Sequence, residues 1–441
     1  MSDIIKISNY IKPFRKTIRI EGDKSLSIRW ALMASQAKGK STCYNLLKSE
    51  DIISTLNCLK KLGIKVKIKK DKCEIYGNGL NSFNLKEKIT LDAGNSGTLA
   101  RLLPGLLVHS KKKIIIKGDK SLSKRDFYRI VKPLEKFGAS LKTKKGKLPM
   151  TIEGTKFPKP ITYFENKGSA QCKSCIMFAA LNTKGTTTIK AKKSRDHSEL
   201  LFKFLNLPIK VIKTKKHDII KLNGKKKVRP FNYRIPSDIS SSAFFIVLTV
   251  LSNKSSLVIK SVNINPTRIG ILKILKKMNV NFIIKNTKVL NGEKIGDLHI
   301  FSSQSLRPIN CPTNFNTAAI DEFLLIFLIA ARANGVSTFK NLSELNQKES
   351  PRLKWGSKLL NKIGIKNIIT SDSIKIFGNP NLIVKKKIVI KDFDKDHRVF
   401  MTSVIAALTF GGNWKIYDKN SIKTSFPSFL RKIKDLGAKI N

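Results

Sequence analysis

The short stretch GDKSLSIR, residues 22–29, returns almost unchanged as GDKSLSKR at residues 118–125. Each copy combines a glycine, serine hydroxyls and a lysine and an arginine at matching positions. These cations are Lys24, Arg29, Lys120 and Arg125. A glycine lets the backbone approach a ligand closely, and hydroxyls and exposed N–H groups donate hydrogen bonds to anionic oxygens. The pair therefore predicts two loops that bind oxyanions, although a solvated basic turn is the alternative for either copy alone.

Other donor-rich segments precede predicted helices. GNSGTLAR spans residues 94–101, SAQCKS spans 169–174 and SRDHSE spans 194–199. The first N–H groups of a helix lack partners within the helix and attract negative charge. These segments are therefore candidate anion sites, whereas the serines of PSDISSSAFF (236–245) favour a structural role in an N-capped helix.

Carboxylates flanked by cations form a second group, which lies in the last third of the chain. The segments are AIDEFLL with Asp321, KESPR with Lys348, Glu349 and Arg352, and KDHR with Asp396, His397 and Arg398. The chain has only 30 acidic residues against 86 basic ones, so such clusters stand out. Their patterns fit structural ion pairs and general acid–base groups equally well.

Composition restricts the class of protein. A length of 441 residues with 41% hydrophobic residues predicts a globular chain with two or more domains. We expect a cytoplasmic protein without a membrane span, because no apolar run approaches about 20 residues and the first residues do not resemble an export signal. The net charge of +56 raises the possibility of nucleic-acid binding. Its lysine runs are scattered and lack interleaved aromatic residues, so we expect no specific nucleic-acid partner.

The six cysteines show no disulfide-framework spacing, and only Cys172 and Cys175 are close together. A CxxC pair can be redox-active or supply half of a zinc site. No second pair and no histidine pair would complete four ligands, so we expect two packing residues and no metal.

A repeated pattern organises the whole chain. An amphipathic helical segment ends in Gly or Asn and is followed by a short alternating strand, as in LKKLGIKVKI (59–68) and IKDLGAKIN (433–441). The terminating residues are Gly63, Gly138, Asn206, Asn279, Gly364 and Gly437. Each should adopt a left-handed conformation that ends its helix. Six units of about 75 residues predict an α/β protein with two similar domains of three β/α units each, and a cleft between domains is a common place for a ligand.

The order of these motifs along nearly the whole chain resembles that of the 3-phosphoshikimate 1-carboxyvinyltransferase (EPSP synthase) family. The resemblance implies the enolpyruvyl transferase fold, an inside-out α/β barrel, with residues 22–235 in one domain and 1–21 plus 236–441 in the other. It implies transfer of the enolpyruvyl group of phosphoenolpyruvate to the 5-hydroxyl of shikimate 3-phosphate, with release of phosphate, in the shikimate pathway to aromatic amino acids. It also implies a monomer that needs no cofactor or metal.

The resemblance further implies a role for individual residues. Asp321, Glu349 and Lys24 would be catalytic: Asp321 would deprotonate the 5-hydroxyl, and Glu349 would handle the proton at C3 of the enolpyruvyl group. The residues implied to bind shikimate 3-phosphate are Lys24, Ser25, Arg29, Ser169, Ala170, Gln171, Arg195, Asp321 and Lys348. Those implied to bind phosphoenolpyruvate are Lys24, Gly97, Arg125, Gln171, Arg352 and Arg398.

The chain departs from the family pattern at several positions. Asp23 and Ile28 replace the usual Ser and Asn, Asn346 and Pro351 alter the surroundings of KESPR, and Thr424 stands where part of the family has lysine. Asp23 would add negative charge beside an anion site. Two alternatives remain: UDP-N-acetylglucosamine enolpyruvyl transferase, which uses a loop cysteine, and an RNA-binding or RNA-end-processing protein built on related repeats, which the net charge would favour.

Overall fold

A computed structural model describes residues 3–85 and 88–441 of the chain. The chain divides into two compact units. We call Gly22–Ile235 together with Val289–Glu293 the N-unit. The C-unit comprises the described residues up to Glu21, with Pro236–Lys288 and Lys294–Asn441. The turn at 289–293 therefore belongs to the N-unit, although its neighbours in sequence belong to the C-unit.

Within the described residues there are 13 α-helices. In the N-unit they are α1 (Lys24–Ser35), α2 (Glu50–Lys61), α3 (Gly97–Leu106), α4 (Tyr128–Lys136), α5 (Ala170–Leu181) and α6 (His197–Phe204). In the C-unit they are α7 (Ile239–Leu251), α8 (Gly270–Lys277), α9 (Asn316–Ala319), α10 (Phe323–Arg332), α11 (Arg352–Lys362), α12 (His397–Phe410) and α13 (Phe429–Asp435). Short 3-10 helices occur at Leu122–Lys124, Thr313–Phe315, Ser343–Gln347 and Lys419–Thr424.

The same ranges contain 22 strands, most of them short. The first eleven are β1 (Ile4–Ile7), β2 (Arg15–Arg19), β3 (Lys38–Tyr44), β4 (Lys65–Ile68), β5 (Lys72–Asn78), β6 (Lys88–Asp92), β7 (Lys113–Lys117), β8 (Ser140–Lys144), β9 (Lys147–Glu153), β10 (Thr162–Glu165) and β11 (Thr186–Lys192). The others are β12 (Ile209–Lys213), β13 (His217–Asn223), β14 (Asn232–Arg234), β15 (Ser256–Asn263), β16 (Phe282–Leu290), β17 (Glu293–Phe301), β18 (Val336–Phe339), β19 (Asn367–Ile369), β20 (Ile374–Phe377), β21 (Lys387–Ile390) and β22 (Asn413–Tyr417).

The strands form six small sheets that repeat one arrangement. Each N-unit sheet has a parallel edge pair followed by two antiparallel pairs, in the orders β14-β3-β5-β4, β6-β7-β9-β8 and β10-β11-β13-β12. In the C-unit, β2 and β15 pair in parallel and β17 and β16 follow. The two remaining C-unit sheets, β18-β20-β19 and β1-β22-β21, have three strands each. This sixfold repetition confirms the predicted α/β repeat architecture.

The six predicted helix ends are confirmed in detail. Positive φ angles occur at Gly63, Gly138, Asn206, Asn279, Gly364 and Gly437, between 53° and 100°. The prediction of a strand after each junction is correct five times and wrong after Gly437, since residues 438–441 form no strand. Asn441 nevertheless exchanges two backbone hydrogen bonds with Lys6 of β1, which fills the fourth position of that sheet.

The N-unit contains two kinds of helix. Helices α1, α3 and α5 of the N-unit are buried on nearly all faces, whereas α2 and α4 alternate buried and exposed residues. The backbones of α3 and α5 touch, because a Cβ at Gly105 would lie 2.3 Å from the carbonyl oxygen of Cys175. Cys172 and Cys175 are free thiols buried in α5, which agrees with a packing role. No helix in the described residues is long and apolar enough to cross a membrane.

Candidate functional site

The first copy of the repeated octapeptide forms the N-terminus of α1. Asp23 caps this helix, and its Oδ1 accepts a hydrogen bond of 2.9 Å from the backbone N–H of Leu26. Only glycine fits at position 22, because a Cβ on Gly22 would lie 2.0 Å from the carbonyl oxygen of Asn45. The Nζ of Lys24 lies 3.0 Å from Oδ2 of Asp51. The predicted loop is thus a helix start, and Asp23 is a fully buried cap rather than a charge that faces a ligand.

Arg29 lies one turn further along α1 and is 3% exposed. Its Nε donates to Oγ of Ser198 at 2.9 Å, and its Nη2 donates to Oγ of Ser174 at 3.0 Å. Its Nη1 donates to the carbonyl oxygen of Ser25 at 3.0 Å. The two hydroxyls are 2.7 Å apart, so α5 and α6 together fix the direction of the guanidinium.

The second segment predicted to bind shikimate 3-phosphate forms the start of α5. Ser169 caps the helix and accepts from the N–H of Cys172 at 3.2 Å, and Ala170 is the first helical residue. Oε2 of Glu165 accepts from the N–H of Ser169 at 2.9 Å. Burial raises the pKa of the Glu165 carboxyl above its usual range. This carboxyl therefore supports the loop before α5 from within the protein.

Gln171 connects this segment to polar side chains of α3. Its Oε1 accepts from Nη1 of Arg101 at 2.7 Å, and its Nε2 donates to Oγ1 of Thr98 at 3.1 Å. The guanidinium of Arg101 also stacks over the ring of Phe127, with 5.1 Å between the guanidinium carbon and the ring centroid. Gln171 is thereby held in one orientation by two residues of the GNSGTLAR segment.

Gly97, the first residue of α3, lies beside two arginine side chains. A Cβ at Gly97 would lie 3.0 Å from Nη1 of Arg125 and 3.3 Å from Nη1 of Arg101. Arg125 also donates to Oδ1 of Asn95, with a distance of 3.4 Å. The structure therefore brings together Gly97, Arg125 and Gln171, all of which were predicted to bind phosphoenolpyruvate.

The second copy of the octapeptide differs from the first after its cap. Asp119 accepts from the N–H of Leu122 at 2.7 Å, as Asp23 does from Leu26, but only the 3-10 helix Leu122–Lys124 follows. Lys120 is exposed at this turn. Arg195 is half-buried and lies two residues before α6.

A buried ion pair and a buried histidine–glutamate contact lie beside these segments. The Nζ of Lys173 is 2.6 Å from Oε1 of Glu199, and both side chains are at most 4% exposed. Nδ1 of His197 is 2.6 Å from Oε1 of Glu293, again with both side chains buried. His197, which looked like an available donor in SRDHSE, is therefore engaged inside the N-unit.

In the C-unit, Asp321 lies between α9 and α10 and meets cations from three other segments. Its Oδ1 is 3.2 Å from Nζ of Lys348 and 3.6 Å from Nη1 of Arg352. Its Oδ2 is 4.0 Å from Nη1 of Arg268. The main-chain oxygen of Asp321 accepts from Nη1 of Arg398 at 2.7 Å. The predicted residues Asp321, Lys348, Arg352 and Arg398 are thus assembled in one cluster.

Arg352 is the buried centre of this cluster. Its Nε donates to Oδ2 of Asp396 at 2.9 Å, its Nη2 contacts Oδ1 of Asp396 at 3.2 Å, and it also donates to Glu349. Burial alone would lower the pKa of Arg352, but the charges of Asp396, Glu349 and Asp321 raise it above its usual range. Arg352 is therefore charged at neutral pH.

Asp396 is one of the carboxylates that the sequence could not assign to a structural ion pair or to acid–base catalysis. It is fully buried, caps α12 by accepting from the N–H of Arg398 at 2.9 Å, and accepts from Oγ of Ser350 at 2.9 Å. Burial opposes its ionisation, but Arg352 holds the pKa of Asp396 below its ordinary value. Asp396 is a structural ion-pair partner, whereas the side chains of Asp321 and Glu349 are 18% and 15% exposed.

Sequence reasoning missed several residues of these clusters. Ser174 and Ser198 lie in segments already selected, and Arg101 ends GNSGTLAR, but nothing in the sequence shows that they hold other polar groups. Arg268 lies in the polar run NINPTR before α8, and this run has no other charged residue that would indicate a functional site. In the described residues no group of three or more His, Cys, Asp or Glu side chains is arranged to hold a metal ion.

Comparison with known proteins gives consistent matches over the full length. The family model described as EPSP synthase (3-phosphoshikimate 1-carboxyvinyltransferase) matches residues 9–433. A 3-phosphoshikimate 1-carboxyvinyltransferase of Ruthia magnifica subsp. Calyptogena magnifica is 39% identical over 426 residues, 96% of each chain. The homologous protein of Zymomonas mobilis is 35% identical over 437 residues, 98% of this chain and 96% of the other.

Solved structures match the fold as well. EPSP synthase from Acinetobacter baumannii has a TM-score of 0.87 at 33% identity, with 99% of both chains covered. The enolpyruvyl transferase NikO from Streptomyces tendae has a TM-score of 0.77 at 14% identity, with 100% of this chain and 99% of the other covered. The second likeness concerns the fold alone.

Proposed function

Because the chain belongs to the EPSP synthase (3-phosphoshikimate 1-carboxyvinyltransferase) family, we propose that its two clusters act on the two substrates of that reaction. The enzyme transfers the enolpyruvyl group of phosphoenolpyruvate to the 5-hydroxyl of shikimate 3-phosphate and releases phosphate, in the shikimate pathway to aromatic amino acids. This function replaces both alternatives considered for the sequence, the UDP-N-acetylglucosamine transferase and the RNA-binding protein.

The N-unit cluster binds the two anions in this proposal. Lys24, Ser25, Arg29, Ser169, Ala170, Gln171 and Arg195 bind shikimate 3-phosphate. Lys24, Gly97, Arg125 and Gln171 bind phosphoenolpyruvate. The hydroxyl partners of Arg29 and Gln171 support this division, because they orient these donors. Donors that are fixed before the substrate arrives lose little conformational freedom on binding.

The C-unit cluster carries the proton transfers. Glu349 handles the proton at C3 of the enolpyruvyl group, and protonation there makes C2 electrophilic. Asp321 accepts the proton of the attacking 5-hydroxyl, so a new C–O bond forms at C2. The tetrahedral adduct then loses phosphate: its C2–O bond to the phosphate breaks, and Glu349 takes a proton back from C3, so that the enolpyruvyl double bond is restored. Lys348 binds shikimate 3-phosphate, Arg352 and Arg398 hold the phosphate of phosphoenolpyruvate, and Lys24 contacts both substrates.

One observation carries the assignment of the carboxylates. Asp321 and Glu349 both contact the buried Arg352, yet each keeps part of its side chain exposed, whereas Asp396 is fully enclosed. A general acid or base must reach the substrate, so a partly exposed carboxylate with a fixed neighbour is suited to this work.

A crossed pair of variants tests the assignment of the anion sites. We expect Arg195→Gln to raise KM for shikimate 3-phosphate by about 10- to 100-fold and to change KM for phosphoenolpyruvate much less, since a charged hydrogen bond contributes about 1.5–3 kcal/mol. Arg125→Gln should show the opposite pattern. Phosphate release measured with each substrate varied in turn gives both constants.

The matched control is Arg229→Gln, which removes an exposed arginine of the same unit and should leave both KM values unchanged. Equal effects of Arg195→Gln on both substrates, or a reversed pattern in the two variants, would show that the assignment is wrong.

We also propose that residues 22–235 and 1–21 plus 236–441 act as two domains, and that the enzyme works as a cytoplasmic monomer without a specific nucleic-acid partner. One chain supplies every residue of the proposed site, and its six cysteines are free thiols, as is usual in reducing compartments. Sedimentation at micromolar concentration should give the mass of one chain, 49.5 kDa, and added RNA should not inhibit turnover at physiological salt.

A further inference from the structure

Arg268 lies beside the proposed base, although none of the predicted motifs includes it. We propose that Arg268 is a positioning residue that fixes the carboxylate of Asp321 for proton transfer. This inference rests on the proposed function, in which Asp321 deprotonates the attacking hydroxyl. Arg268 acts through Asp321 and is not itself expected to touch a substrate.

The guanidinium of Arg268 is anchored inside the C-unit. The residue is 3% exposed. Its Nη2 donates to Oγ of Ser240 at 3.1 Å and lies 3.3 Å from Oδ1 of Asp238, the residue that caps α7. Ser240 in turn donates to the buried carboxylate of Glu322, the neighbour of Asp321 in sequence. These contacts hold the Nη2 side of the guanidinium and leave Nη1 facing Asp321.

The backbone around Arg268 explains how the two segments approach. Oδ1 of Asn265 accepts from the N–H of Thr267 at 2.8 Å, and the N–H of Arg268 donates to the carbonyl oxygen of Asn265 at 2.8 Å, which forms a tight turn before α8. Gly270 follows, and a Cβ there would lie 2.6 Å from the carbonyl carbon of Ala318. The start of α8 therefore packs directly against the chain that leads to Asp321.

In this geometry the two carboxylate oxygens of Asp321 face different partners. Lys348 and Arg352 approach Oδ1, while Arg268 approaches Oδ2 at 4.0 Å. Cations on both oxygens oppose rotation of the carboxylate about its Cβ–Cγ bond. A base whose orientation is fixed loses no rate to unproductive rotamers, and a displacement of about 1 Å can cost on the order of 100-fold in rate.

Steady-state kinetics of Arg268→Gln, Asp321→Asn and the double variant test the proposal. We expect Arg268→Gln to lower kcat by about 10- to 100-fold and to change both KM values by less than about threefold. If Arg268 acts through Asp321, adding Arg268→Gln to Asp321→Asn should lower kcat by less than about threefold more. Arg268→Lys, which keeps the positive charge but lacks the two Nη groups of the guanidinium, should recover part of the rate.

The control is Arg307→Gln, an exposed arginine of the C-unit, which should leave kcat and KM unchanged. If Arg268→Gln does not fold, Arg268→Lys replaces it in the same cycle. An unchanged kcat in a folded variant, or effects that multiply in the double variant, would overturn the role of Arg268 and leave that of Asp321 intact. Full activity in Asp321→Asn would overturn both roles.

Discussion

The two polar clusters of this enzyme hold their cations in different ways. In the N-unit, Arg29 donates to two serine hydroxyls and a carbonyl oxygen, and Arg101 donates to the amide of Gln171 and a carbonyl oxygen. In the C-unit, Arg352 contacts three carboxylates, those of Asp396, Glu349 and Asp321. Lys24 departs from the N-unit pattern, since it contacts Asp51.

The difference bears on how the proposal divides the work of the two clusters, because substrate-binding cations occur in both. Hydroxyl and carbonyl oxygens orient a cation, and a charge-assisted contact with an incoming anion is strong. A cation that contacts several carboxylates also fixes those carboxylates in place. The N-unit pattern suits recognition of two phosphorylated substrates, and the C-unit pattern suits acid–base work.

The largest effect expected from this comparison is the loss of turnover in Glu349→Gln. The variant should fold with a nearly unchanged melting temperature, bind shikimate 3-phosphate, and turn over at least about 100-fold more slowly, because general acid–base catalysis contributes about 100- to 10,000-fold. Asp321→Asn should behave alike, with a larger effect on shikimate 3-phosphate binding. Calorimetric binding, thermal unfolding and single-turnover rates separate these properties. Most of the activity retained in Glu349→Gln, or activity lost only through unfolding, would contradict the assignment.

The second expected effect concerns stability. Asp396→Asn removes the bidentate partner of the buried Arg352 and should lower the free energy of unfolding by about 3 kcal/mol. This is the lower end of the usual cost of breaking a buried ion pair, because Glu349 and Asp321 still contact Arg352. Denaturant titration measures this change. The control, Asp392→Asn, removes an exposed carboxylate 3.9 Å from Lys391 and should change stability by less than about 0.5 kcal/mol. Equal losses of stability in Asp396→Asn and Asp392→Asn would contradict the prediction that the buried ion pair of Asp396 contributes more than a surface ion pair.

The next effect is expected in the N-unit. Ser198→Ala removes the hydroxyl that accepts from Nε of Arg29 and should raise KM for shikimate 3-phosphate about tenfold, since a hydrogen bond to a charged group contributes about 1.5–3 kcal/mol. The kcat value should change less than about twofold. Ser82→Ala, which removes a hydroxyl bonded to the carbonyl oxygen of Gly79, is the control. A fall in kcat with unchanged KM would show that Arg29 acts in the chemistry rather than in binding.

The last expected effect concerns acid stability. Burial, with a smaller contribution from Lys225, lowers the pKa of His109 in the N-unit to about 4. The unfolded chain protonates this histidine near its ordinary pKa of about 6.5, so its contribution to stability is complete above about pH 6.5 and is lost as the pH falls toward 4. His109→Gln should reduce the acid-induced loss in this window by on the order of 2 kcal/mol, after allowance for partial exposure.

Hydrogen exchange between pH 7 and 4 can follow the two units separately. The N-unit should lose protection first, because the lowered pKa of Asp396 keeps its C-unit ion pair intact until the pH falls below the ordinary aspartate range. Loss of protection in the C-unit first, or an unchanged profile in His109→Gln, would contradict this order.

Local sequence determined the repeat architecture and the caps. Left-handed Gly or Asn residues end the six helices because an L residue with a side chain adopts that conformation only at a cost, which Asn and Gly lower. Both octapeptides also fold alike at their start, where Asp23 and Asp119 accept from the N–H three residues later. These features depend on neighbours in sequence, so the sequence alone predicted the repeats and the positions of the motifs along them.

The backbone conformation after each cap already depends on partners distant in sequence. Ile28 is fully buried and continues into the apolar stretch of α1, whereas Lys124 and Arg125 end a single 3-10 turn. The identical residues before them thus give a buried helix in one copy and a turn in the other. The hydrophobic core that receives Ile28 decides the difference.

Tertiary structure alone decided which polar residues work together. Composition and spacing marked Asp321, Glu349 and Asp396 equally, and the family resemblance favoured the first two. Burial separates the enclosed ion-pair partner from the two partly exposed carboxylates. Nothing in the sequence indicated that Ser174 and Ser198 orient Arg29, or that Arg268 faces Asp321 across 53 residues of chain. Ionisation and orientation depend on distances and on the exclusion of water, and these arise only when segments far apart in sequence pack against each other.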